Sequence, residues 1–216
     1  MRYALIVFDW DGTLIDSAGA IAECIQEAAR EMGLAVPDRE RARHVIGLGL
    51  HASLRHAVPD LPAERAMEFI ACYRRQFLAR EEGMRLFPGV VELLGALRDR
   101  GHALAVATGK SRRGLERALD ASALRPYFAS TRCADESVPK PDPAMLHELL
   151  LELGTEPAQA LMIGDTSHDL QMAGAAGVDA LAVSYGAHAE SSLRALAPRG
   201  CVANVEELAR WLAQHA

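Results

Sequence analysis

Residues 5–8 (Leu-Ile-Val-Phe) form an unbroken apolar run that halts at Asp9, with Gly12 close behind. That pattern predicts a short, buried strand near the N-terminus. From Ala18 the period changes. Ile21, Ala22, Ile25, Ala28, Ala29 and Met32 recur at three- and four-residue steps, which predicts a helix over 18–32 ended by Gly33. Pro37-Asp38 opens a short charged helix over 39–45. A third helix runs through Ser53, Leu54 and Ala57 until Pro59 and Pro62 break it. A long helix over 62–82 carries Met67, Ile70, Ala71, Phe77 and Leu78. Nothing between Ala18 and Glu82 alternates as a strand does, so four consecutive helices predict a small bundle separate from any sheet.

Past the turn Phe87-Pro88-Gly89 the chain alternates between the two periods. Helices are predicted over 90–100, 112–119, 143–153, 169–176 and 204–214, the last with Asn204 as N-cap. Short apolar strands are predicted over 103–107, 128–133, 160–163 and 180–183. Alternation of this kind predicts an α/β fold, a Rossmann-like parallel sheet with helices on both faces. The core would comprise 1–16 and 84–216, with 17–83 as a helical insert. The crossings between them fall at Asp16–Ala18 and Gln76–Glu82, with Gly83 as a hinge.

In such sheets ligands bind at the carboxyl ends of the strands. Three predicted strands end in polar residues: Asp9 with Asp11, Thr108, and Asp165. The topology gathers them on one rim. Asp9 and Asp11, two apart in an extended segment, share a face. Two such like charges call for a divalent cation, which would keep one carboxylate ionised as a nucleophile. Alternatively, they cap the following helix.

The full string Asp9-Trp10-Asp11-Gly12-Thr13-Leu14-Ile15-Asp16-Ser17 resembles the first motif of the haloacid dehalogenase superfamily. Thr108 in Ala-Thr-Gly-Lys resembles the second motif, Lys140 in Val-Pro-Lys-Pro-Asp-Pro the third, and Gly164-Asp165-Thr166-Ser167-His168-Asp169 the fourth. The resemblance implies Mg²⁺ held by Asp9, Asp11 (through its carbonyl), Asp165 and Asp169. It implies Asp9 as nucleophile and Asp11 as acid and base. The Thr108 hydroxyl, the Gly109 N–H, Lys140 and backbone N–H groups near Trp10 and Gly12 would hold the phosphoryl oxygens. Each residue also has a plainer use: Thr108 as a helix N-cap, Lys140 as a solvated charge, Asp169 as a first-turn acid favoured by the helix dipole. Lys110 is a rival to Lys140 in the wrong motif. His168 is set aside, because oxygen ligands suit Mg²⁺.

An acid at Asp11 points to phosphoryl transfer, since halide leaves without a proton. A helical insert between the first two motifs is similar to the subgroup that includes phosphoglycolate phosphatases and β-phosphoglucomutases. The implied reaction is hydrolysis of a small phosphomonoester, with 2-phosphoglycolate as first choice. A phosphomutase is the alternative, and a non-catalytic phosphometabolite-binding module a more distant one. Mutases of the subgroup carry Lys or Arg in the loop that corresponds to Ile46–His51, which here is apolar except for His51. His51 and Arg55 are therefore candidate substrate contacts, expected to approach Asp9 only when the insert closes.

Composition narrows this further. The chain has 216 residues, half of them hydrophobic, and a net charge of −6 with no Lys/Arg run, which argues against a nucleic-acid surface. No segment has the length of a membrane span or a signal-peptide core, so no membrane association is expected. Four scattered cysteines without a Cys-x-x-Cys predict free thiols and a cytoplasmic protein. A monomer or homodimer is expected.

Overall fold

A computed structural model describes residues 2–216, apart from the side chain of His51. The elements run in the order β1 (Leu5–Phe8), α1 (Ala18–Glu31), α2 (Arg39–His44), α3 (Leu50–Ala57), α4 (Ala66–Glu81), α5 (Val90–Asp99), β2 (Ala103–Thr108), α6 (Arg112–Ser122), β3 (Ser130–Cys133) and α7 (Ala144–Glu152). They continue with β4 (Ala160–Gly164), α8 (Ser167–Ala175), β5 (Asp179–Val183), α9 (Glu190–Arg194), β6 (Cys201–Val202) and α10 (Val205–His215). The six strands form one sheet in the order β3-β2-β1-β4-β5-β6, all neighbours parallel.

Strand β1 lies at the centre, and its period of two divides the core. Ile6 and Phe8 join Leu104, Val106 and the apolar faces of α5, α6 and α10 on one side. Leu5 and Val7 join Ala105, Ala107, α7 and α8 on the other. Both faces being covered, the central strands read as continuous apolar runs. Helices α1 to α4 bury a separate cluster, including Ile21, Ile25, Leu54, Phe69 and Phe77.

Two short elements, α9 and β6, were not expected; neither is long enough to show a period. Helix α8 starts at Ser167 rather than Asp169, because the Thr166 hydroxyl caps it. The second crossing between sheet and insert also differs from expectation. Residues 76–81 still belong to α4, and the chain returns after it. There the two crossings lie side by side: the Asp16 N–H donates to the Arg85 carbonyl (2.9 Å) and the Phe87 N–H to the Leu14 carbonyl (3.0 Å). All four cysteines are free thiols. Among the described residues, no helix is long and apolar enough to cross a membrane.

Candidate active site

The strand order reverses between β1 and β4, the place where parallel sheets open a crevice at their carboxyl ends. Asp9 leaves β1 there and is anchored by its N–H, which donates to the Ile163 carbonyl of β4 (2.9 Å). Asp165 follows β4 directly. Asp169 stands in the first turn of α8. One carboxylate oxygen from each of Asp9, Asp165 and Asp169 lies within 4.8 Å of the others.

All three carboxylates are buried, and they are not equally satisfied. Asp165 accepts from the Thr13 hydroxyl (2.8 Å) and the Ala187 N–H (2.6 Å). Asp169 accepts on Oδ2 from the Thr166 hydroxyl (2.7 Å) and N–H (3.0 Å), closing a capping box at the start of α8. Its Oδ1 accepts from Lys140 Nζ (2.5 Å), which also donates to Asp9 Oδ1 (2.7 Å). Asp9 Oδ2 is buried without a partner. A buried anionic oxygen left unpaired costs free energy unless something binds it.

The electrostatics agree. Burial pushes the Asp9 carboxyl well above the ordinary range; Lys140 opposes this, while Asp169 and Asp165 add to it. Burial and the neighbouring Asp169 push Asp165 up to about 7. Burial alone would lower the Lys140 ammonium, but Asp169 and Asp9 outweigh it and hold it above its usual value. Lys140 meets two of the three carboxylates, Asp9 and Asp169, and Asp165 has no cation, an excess of negative charge that a divalent cation would offset. An all-oxygen donor set with one free carboxylate oxygen suits a hard divalent cation.

Two glycines let the backbone pack this tightly. Gly12 has φ = 88°, and a Cβ there would collide with the Asp165 carboxylate. At Gly109 a Cβ would lie 2.6 Å from the Gly47 carbonyl, so the insert's loop rests directly on the turn after β2. Thr108 ends β2, buried, and its hydroxyl accepts from the Lys110 N–H (3.2 Å). It is not the helix cap: Ser111 caps α6 by accepting from Gly114. Asp11 stands beside the three-carboxylate cluster, its carboxylate accepting from Ser17 Oγ (2.7 Å) and from Lys110 Nζ (3.0 Å).

Comparison with known proteins decides the family. The model of the haloacid dehalogenase-like hydrolases matches residues 6–183. The chain belongs to the haloacid dehalogenase-like hydrolases. It is 36% identical over 211 residues to a probable phosphatase, IndB, of Dickeya dadantii, covering 94% of this chain and 91% of that one. It is 33% identical over 219 residues to a 5′-nucleotidase of Pseudomonas aeruginosa (100% and 98% covered) and 34% over 193 residues to a phosphoglycolate phosphatase of Pseudomonas savastanoi (84% and 70%). A hydrolase from Pseudomonas syringae has the same fold, with a TM-score of 0.88 at 21% identity over 99% of both chains.

Within this haloacid dehalogenase-like frame, Asp9, Asp165, Asp169 and Lys140 meet in one cluster, with Asp11, Thr108, Gly12 and Gly109 around it. Gly12 is not a free backbone donor, because its N–H is spent on the Ile15 carbonyl (2.9 Å); its place in the site is steric. In this arrangement of insert and core, Arg55 is exposed on α3 and does not line the cavity over Asp9. The side chain of His51 lies outside the described residues. Lys110, set below Lys140 in the sequence reading, pairs instead with Asp11. Thr13 holds Asp165 and went unassigned, although it belongs to the quoted motif. The signal for both was present: a hydroxyl and a cation, each within two residues of a residue already singled out.

Proposed function

We propose that this chain is a Mg²⁺-dependent phosphatase of small phosphomonoesters, working through a covalent phosphoryl-Asp9. The unpartnered Oδ2 of Asp9, buried at the strand-order switch, carries the reading. Lys140 fixes the other oxygen of the same carboxylate and so aims the free one. Asp9 attacks phosphorus in line, a P–O bond forms to Asp9, and the P–O bond to the leaving alcohol breaks. Asp11 gives that alkoxide a proton and later takes one from the water that hydrolyses the acyl phosphate. Ser17 and Lys110 hold the Asp11 carboxylate in place for both transfers. The Thr108 hydroxyl and the Gly109 N–H lie on the same rim to receive phosphoryl oxygens.

Asp9 and Asp165 would hold Mg²⁺, together with the Asp11 carbonyl, while Asp169 ties the cluster to Lys140. When bound, the ion neutralises phosphoryl charge. Helices α1–α4 form the cap, and the crossings at residues 82–87 and 16–18 form its hinge. The resemblance favours 2-phosphoglycolate among substrates; the exposed position of Arg55 weakens that choice, since it leaves the acid end without that cation. The β-phosphoglucomutase-like alternative lacks a cation in loop 46–50.

Release of phosphate from p-nitrophenyl phosphate tests this reading. Turnover is expected with Mg²⁺ and is expected to vanish with EDTA. Metal-loaded, folded protein that hydrolyses no phosphomonoester would contradict it.

A further inference from the structure

Above Asp9 and Asp11 lies a cavity of about 640 Å³, in the range that holds a drug-sized ligand rather than a two-carbon acid. Its polar groups are unevenly placed. Asp9, Asp11, Thr108, Lys110 and Ser111 line the core end, and the exposed cations Arg74, Arg113 and Arg117 also line the cavity, Arg117 being paired with Glu81 (3.2 Å). The insert contributes an apolar wall built on Ile21, Ile25, Leu54, Ile70, Tyr73 and Phe77. Ser53 also lines it, but its hydroxyl is spent on the Val45 carbonyl (3.0 Å). The wall reaches the chemistry on the leaving-group side. Lys110 Nζ binds Asp11 (2.9 Å) and sits 4.6 Å from the centroid of the Phe77 ring, and Tyr73 packs beside Phe77 with centroids 6.0 Å apart.

We infer that the preferred substrates are phosphomonoesters whose leaving alcohol carries an apolar ring, seated against Ile70, Tyr73 and Phe77 while the phosphoryl group meets Asp9. This rests on the phosphatase reading and narrows its substrate class. The ring enters with the alcohol that Asp11 protonates, and the acid end of 2-phosphoglycolate meets one cation on the insert's side, the exposed Arg74, in an otherwise mostly apolar wall.

The test is kcat/KM across esters of primary alcohols, whose leaving oxygens are alike: 2-phosphoglycolate, glycerol 3-phosphate, benzyl phosphate and 2-naphthylmethyl phosphate. The naphthylmethyl ester is expected to exceed 2-phosphoglycolate by about 100-fold, as burial of an apolar ring permits. Ile70→Asn and Phe77→Ala are expected to cut that ratio about tenfold or more, through KM rather than kcat. Fluorescence titration with 2-naphthylmethylphosphonate, a non-hydrolysable probe, gives an independent readout, and phosphonoacetate serves as its competitor. Turnover of all four esters with no preference for the ring, or a ratio untouched by both variants, overturns the inference and leaves the phosphatase reading standing. Tight, Ile70-dependent binding of the naphthyl probe without turnover of any ester supports the apolar site and overturns the phosphatase reading instead. Neither turnover nor binding overturns both.

Discussion

Asp165 couples the site to pH. Burial and Asp169 push its carboxyl up to about 7, from 3.8. Between those values the folded chain keeps a proton that the unfolded chain has released. The metal-free protein therefore loses stability from this group as pH rises from about 4 to about 7. A divalent cation must displace the same proton, so its binding strengthens over the same window. The gain in melting temperature from saturating MgCl₂ is thus expected to be larger near pH 8 than near pH 5.5, and Asp165→Asn should remove most of that difference. An equal gain at both pH values would count against Asp165 as a ligand. At this scale the sequence was informative about types and silent about partners. Asp9, Thr108 and Asp165 stood out because each follows an apolar strand, and Asp11 because it lies two residues past Asp9. Which ammonium meets which carboxylate depends on how the segments after β2 and β3 turn back, and no local pattern records that. Lys110 and Lys140 thus fall to Asp11 and Asp9 respectively.

Among the elements, the sheet order and the first turn of α8 do most of the positioning. The alternating periods made the α/β core and the run of four helices readable, because long periodic segments carry their own burial pattern. Helix α8 starts two residues before the position that its apolar period predicts. Thr166 and Asp169 cap each other, and a reading from apolar periodicity sees only the residues that follow. Elements α9 and β6, of 5 and 2 residues, are set by tertiary packing. The capping box has a measurable worth. Thr166→Val removes the hydroxyl that bonds Asp169 while keeping the shape, so it should cost about 1 kcal/mol. Denaturant unfolding in EDTA measures that cost, and EDTA keeps metal loss from contributing. Because Asp169 Oδ2 would then be held by the Thr166 N–H alone, its carboxylate is less firmly aimed at Lys140, and kcat should fall more than stability alone explains. Unchanged stability and turnover would mean that the box orients nothing.

Across the whole molecule, the insert is docked through contacts that reach the carboxylates. The Arg43 guanidinium on α2 donates to the carbonyls of Gly186 and Ala187, and the Ala187 N–H donates to Asp165. His168 and His188, both buried, each place Nε2 against the His44 carbonyl (2.8 and 3.0 Å). Loop 186–188 therefore joins the helical insert to the proposed metal site. Arg43→Ala is expected to weaken Mg²⁺ binding several-fold, read as the Mg²⁺ concentration at half-maximal rate, and to shift the melting temperature less than a core truncation would. Unaltered Mg²⁺ dependence would show that docking and metal binding are independent. Arg55 shows where sequence reasoning ended at this scale. Its place one turn beyond the apolar loop was legible, but not the direction α3 presents it once the insert has docked.

Phosphorus bound to Asp9 during turnover is the direct mark of the mechanism. Rapid acid quench of the enzyme turning over labelled substrate, followed by peptide mapping, should place the label on the peptide containing Asp9, and Asp9→Asn should carry none while remaining folded. A label on another residue, or near-native turnover by Asp9→Asn, would contradict the account.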